Sequence, residues 1–160
     1  MRGPRFLRVA TRRSAQAGVV ASGIALAATM LLTVADVVLR GFAASPIRGA
    51  FELVELGLAV TFFLALPLAF WRDEHIVVDT VDHRAPQLVP YLRRVAGFAS
   101  AAILGVMTWQ TFVGARDALA FGDVSADLGL PQLVYWGPVV LGLAGALVAV
   151  VLRDLGDGDA

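Results

Sequence analysis

Residues 128–152 read LGLPQLVYWGPVVLGLAGALVAVVL, twenty-five residues without a formal charge. A hydrocarbon core of about 30 Å calls for about 20 consecutive apolar residues in one helix, so this stretch alone points away from a water-soluble globule. Outward from it the pattern recurs: Val95 to Ala115 and Ser14 to Ala35 are also uncharged over a membrane-sized length. Leu56 to Trp71 is shorter and, at 1.5 Å per residue, covers only about 24 Å. Extending it back through Phe51, Leu53 and Val54 supplies the missing length. The extension brings Glu52 and Glu55 into the first turns, where the helix dipole favours negative charge. The sequence predicts an all-α integral membrane fold with four transmembrane helices at about 14–39, 50–71, 91–115 and 130–152, between a basic tail 1–13 and an acidic tail 153–160.

Composition agrees. The 160 residues are 58% hydrophobic and 16% charged, whereas a soluble domain averages about 45–50% and about 25%. Thirteen arginines balance thirteen acids, so no global basic field points to nucleic acid. The absence of cysteine removes disulfides, thiolate metal sites, iron–sulfur clusters and cysteine nucleophiles. With no lysine, Schiff-base chemistry is also excluded. His75 and His83 both fall outside the spans, which leaves no axial ligand for an intramembrane haem. No Walker A motif or Rossmann glycine fingerprint occurs. The centres of the spans hold no ionisable residue, so these helices alone offer a solute nothing to bind. Neither an enzyme nor a cofactor is expected.

Orientation follows from arginine. Ten arginines lie in the N-terminal tail, the segment between helices 2 and 3 and the C-terminal tail; only Arg40, Arg48 and Arg116 lie in the other two connections. The positive-inside rule then places both termini in the cytoplasm. Arg12-Arg13 and Ala25-Leu26-Ala27 hint at a cleaved signal, but the apolar stretch outruns the 7–15 residues of a signal core. The first helix is therefore expected to remain uncleaved.

The polar residues gather at the rims. Asp36 and Arg40 share a helical face, either as a local ion pair or as a clamp in which Arg40 meets Glu52 or Glu55 across a turn made by Ser45-Pro46. Glu52 and Glu55 also share a face, as an interfacial pair or partner contact, or else as a proton-coupling carboxylate. Pro67 is expected to kink or loosen the end of helix 2. Beyond Trp71-Arg72, the residues His75, Asp79, Asp82 and His83 fall on one face if that segment is helical. That face suits an amphipathic interfacial helix, or zinc or manganese; no metal is expected. Residues 72–94 form one such piece or two. Thr108, Trp109, Gln110 and Thr111 are expected to pack polar side chains against a neighbouring helix rather than to line a pore. Tyr135 and Trp136 form an aromatic belt at the start of helix 4, and Gly142-x-x-Gly145 offers close helix packing.

The chain resembles the small permease subunit (DctQ-type) of tripartite ATP-independent periplasmic (TRAP) transporters. The resemblance rests on DVVLR at 36–40, PIRGAFELVE at 46–55, HIVVD at 75–79, and LGLP at 128–131 followed by Tyr135, Trp136 and Pro138. It covers the chain from helix 1 to helix 4. It implies a non-catalytic partner of a large membrane subunit that moves an organic anion with sodium, supplied by a periplasmic substrate-binding protein. The small subunit would widen the static scaffold and help to dock that protein, without touching the solute itself. Asp36, Arg40, Glu52, Glu55, His75, Asp79 and Trp136 are the candidate interface residues. A competing expectation is a self-sufficient small proton-coupled exporter that forms homodimers.

The orientation is testable because the chain has no native cysteine. Single cysteines replacing Arg48 and Asp123 should react with a membrane-impermeant maleimide added outside intact cells, and one replacing Gly158 only after lysis. The opposite labelling pattern would contradict the arginine bias.

Overall fold

The computed structural model describes residues 5–72 and 89–157, and it is all-helical. Helix α1 spans Arg5–Ala43, α2 Ala50–Arg72, α3 Val89–Phe121 and α4 Leu133–Asp157. Each contains a stretch long and apolar enough to cross a membrane: Arg13–Ala43, Ala50–Trp71, Val95–Phe121 and Leu133–Arg153. Helices 1 and 3 run past the expected bounds of 14–39 and 91–115, because a charged residue such as Arg40 or Arg116 ends an apolar run without ending a helix. Helix 4 begins later than residue 130, since Leu130 and Gln132 are tied into the preceding connection. The interfacial segment expected after Arg72, with His75 and Asp79, lies outside the described residues.

The helices pack as a row. α1 packs on α2, α2 on α4 and α4 on α3, while α1 touches α4 only lightly. The order across the row is therefore α1, α2, α4, α3. A row leaves two broad apolar flanks, and large side chains such as Leu31, Phe98 and Leu141 lie exposed on them. In hydrocarbon such flanks carry no penalty, so helix association rests on close packing rather than on apolar burial.

Close packing selects small residues. On α1 the buried positions Ala15, Ser22, Thr29 and Asp36 recur every seven residues, the repeat that keeps one seam facing a partner helix. The Ser22 and Thr29 hydroxyls donate to the Gly18 and Ala25 carbonyls, at 2.9 and 2.8 Å. Thr61 on α2 donates to the Gly57 carbonyl at 2.7 Å. Each hydroxyl is thus satisfied inside its own helix, with Thr61 also reaching the Ser22 carbonyl of α1 at 3.4 Å, and the seam buries small polar side chains within the span without an orphaned donor.

Thr108 and Thr111 behave the same way. They donate to the Leu104 and Met107 carbonyls, both at 2.7 Å, rather than to a neighbouring helix as expected, and Trp109 and Gln110 are exposed. A hydroxyl four residues beyond a carbonyl reaches it without help from another helix, so this geometry wins.

α4 is the best-buried helix. Ala146 and Ala149 are 0% exposed, and Leu143, Ala146 and Val150 pack with Leu104 of α3 and with Phe63, Leu66 and Phe70 of α2. Pro67 explains part of this contact. α2 continues through Pro67 to Arg72, but proline has no N–H for the carbonyl of Phe63, four residues earlier. That carbonyl lies against Gly142, where a Cβ would run into it. A glycine Cα–H there lets the two backbones approach and places a weak donor on the freed oxygen. The Pro67 ring in turn packs at Gly145.

Gly142→Ala is predicted to destabilise the chain by about 1–3 kcal/mol, the cost of overpacking a close contact. Gly105→Ala, where a Cβ meets open space, should be neutral or slightly stabilising. Thermal unfolding in detergent compares them, and equal midpoints would contradict the packing.

Candidate functional site: a rim held by two buried carboxylates

The α1–α2 and α3–α4 connections lie at the same end of the row, and each is organised by an acid. α1 ends with Ala44 in the left-handed region (φ 49°) and the Ser45 amide reaching back to the Leu39 carbonyl at 3.4 Å. This is a Schellman-type stop, with alanine where glycine is usual. Pro46 prevents the helix from continuing. The chain returns so that the Ile47 amide donates to Asp36 Oδ1 at 2.8 Å. Arg40 Nη2 donates to Asp36 Oδ2 at 2.7 Å. Asp36, 9% exposed, thereby holds both its own helix and the turn.

Glu52 does the same for the second connection. It is 8% exposed. The Ser125 hydroxyl donates to Glu52 Oε2 at 2.7 Å, the Leu128 amide to the same oxygen at 3.0 Å, and the Asp127 amide to Oε1 at 2.7 Å. The Tyr135 hydroxyl adds a bond to the Glu52 main-chain carbonyl at 3.3 Å. The connection completes its own fold around this anchor. The Ser125 amide donates to Leu130 O at 2.8 Å, the Gln132 amide to Asp123 O at 2.9 Å, and Leu130 N to Ser125 Oγ at 3.0 Å. Gly49, at φ +71°, lets the turn before α2 lie directly under the Leu128 side chain, which occupies the place of a Cβ. The two connections therefore pack on each other.

The expected clamp from Arg40 to Glu52 or Glu55 does not form. Arg40 pairs with Asp36 on its own helix, and both Glu52 oxygens are taken by the α3–α4 connection. Glu52 and Glu55, read together in the sequence, separate in role. Glu52 is buried in the latch. Glu55 is exposed and lines a cleft of about 440 Å³ between α2, α4 and the α3–α4 connection. Trp136 lines the same cleft, and the far edge of its ring lies against Gly114 of α3. Asp36, Arg40, Glu52, Glu55 and Trp136 thus share one rim, while His75 and Asp79 lie outside the described residues. Ser125, Leu128 and Gly49 had not been singled out as site residues. A carboxylate entering a membrane helix needs donors, but nothing in the spacing says which distant loop supplies them.

A family model for the DctQ component of tripartite ATP-independent periplasmic transporters matches residues 29–157, from the middle of α1 to the end of α4. No curated protein and no solved structure matches the chain.

Glu52→Gln keeps the shape but replaces one acceptor oxygen by a donor, leaving loop donors unsatisfied at about 1–3 kcal/mol. Hydrogen–deuterium exchange at the Asp127 and Leu128 amides should accelerate in this variant, with the α1–α2 turn far less affected. Unchanged exchange at those amides would contradict the latch.

Proposed function

The chain belongs to the DctQ family and is a small membrane subunit of a TRAP transporter; on that premise we propose that it is a non-catalytic scaffold for the large membrane subunit of a sodium-coupled, binding-protein-dependent transporter of organic anions. In this reading the row lies in the inner membrane with both termini in the cytoplasm. The rim of Asp36, Arg40, Glu52, Glu55 and Trp136 faces the periplasm as part of the docking surface for the binding protein. His75 and Asp79 contribute to contacts at the cytoplasmic end.

One observation carries the proposal: among the described residues the middles of the helices hold no ionisable side chain, and the Ser22, Thr29, Thr61 and Thr108 hydroxyls there are bonded to backbone carbonyls within the row. A carrier of anions and sodium needs a polar site near the midplane, commonly at broken helices. The row supplies none, so the site belongs to a partner, and the two exposed apolar flanks offer that partner a surface. A self-sufficient proton-coupled exporter fits less well. It requires a carboxylate that faces cargo and exchanges protons, whereas Glu52 is committed to a loop and Glu55 stands at the rim.

Co-purification and reconstitution test this reading. The chain should purify with a much larger polytopic protein, and proteoliposome uptake should need both proteins, the binding protein and an inward sodium gradient. Uptake that is equally fast without this chain would remove the scaffold role.

A further inference from the structure

We propose that the cleft between Glu55 and Trp136 receives a guanidinium or ammonium side chain projecting from the soluble binding protein. This rests on the docking reading above and adds the chemistry of the contact.

The two rim glutamates differ in what is left for a ligand. Glu52 accepts three hydrogen bonds through its two oxygens. Glu55, one turn further along α2, has no hydrogen bond or ion pair with any described residue and lines the cleft of about 440 Å³. Across from it on the α4 wall stand Tyr135 and Trp136, with Val124 and Gln132 from the α3–α4 connection. A carboxylate and aromatic rings in one half-enclosed cleft favour a cation, by a charge-assisted hydrogen bond on one side and a cation–π contact on the other. Apolar walls at Val124 and Ala59 suit the methylene stem of an arginine or lysine.

The same features exclude an anion. Two carboxylates repel a dicarboxylate or keto acid, so the cleft is no way-station for solute. The charge of the whole rim points to the same partner. Asp36, Glu52, Glu55, Asp117, Asp123 and Asp127 stand against Arg40, Arg48 and Arg116, and Arg40 is engaged by Asp36. An acidic rim steers a partner that presents a basic patch, and one cation seated in the cleft fixes its register.

The test uses the complete membrane complex in nanodiscs and its solute-loaded binding protein, with affinity measured at low and high salt. Glu55→Gln should weaken binding on the order of tenfold, the scale of losing one charge-assisted contact in a half-open site, and flatten the salt dependence. Complex yield should not change. A second variant, Val124→Cys carrying a bulky maleimide, should also weaken binding by crowding the rim. If the label weakens binding and Glu55→Gln does not, the rim docks the partner but the cleft receives no cation, and the inference is overturned. If neither does, the docking reading falls as well. Binding unchanged in Glu55→Gln, with loss of an amine lipid seen by native mass spectrometry of the wild-type complex, would assign the cleft to lipid and overturn the proposal.

Discussion

Hydrocarbon provides no water to satisfy a backbone amide, and at one rim of this protein the Glu52 carboxylate supplies acceptors at the centre of the α3–α4 connection. Its two oxygens take the Asp127 and Leu128 amides and the Ser125 hydroxyl. These bonds tie the connection between α3 and α4 to α2, a helix that it does not join. Asp36 plays the corresponding part for the first connection through the Ile47 amide. The α1–α2 turn then lies under Leu128 through Gly49, so the two loops form one lid across the row. Removing either acid leaves amides without acceptors at the boundary of the bilayer, where such a deficit is costly.

Below that lid the architecture follows from what membrane helices can use to associate. Lipid is as apolar as leucine, so no hydrophobic force pulls the helices together. The contacts instead depend on small residues, as in the heptad seam of α1 and the Phe63 carbonyl lying on Gly142. Pro67 has a use in this scheme, since the oxygen it deprives of a donor is the one that meets α4. A single layer of helices built this way is closely packed at its seams and apolar on both flanks.

Much of this could be read from the sequence and some could not. Span number and approximate position followed from uncharged stretches such as 128–152, because the length of a helix across a bilayer is fixed by its thickness. The local pairing of Asp36 and Arg40 was one of two open readings, and the four-residue spacing that suggested it is how the pair forms. The partners of Glu52 were not legible. Ser125 is 73 residues away, and no periodicity encodes a contact between a helix start and a distant loop. The order of the row was equally hidden, since it depends on which small residues face each other. The Thr108 and Thr111 hydroxyls satisfy their own helix, which spacing alone did not distinguish from a bond to a neighbour. Of the stretches that carried the family likeness, DVVLR, PIRGAFELVE and LGLP meet at this rim, while HIVVD lies outside the described residues.

The scaffold reading proposed above places cargo outside this row of helices, with the rim still latched by Glu52. A cryo-electron microscopy map of the complete complex in nanodiscs, with solute trapped partway across, tests it most directly. Solute density is expected outside the α1–α2–α4–α3 row, with Glu52 still accepting from the Asp127 and Leu128 amides. Solute or a continuous file of water midway across the bilayer, enclosed by helices of this chain alone, would contradict it.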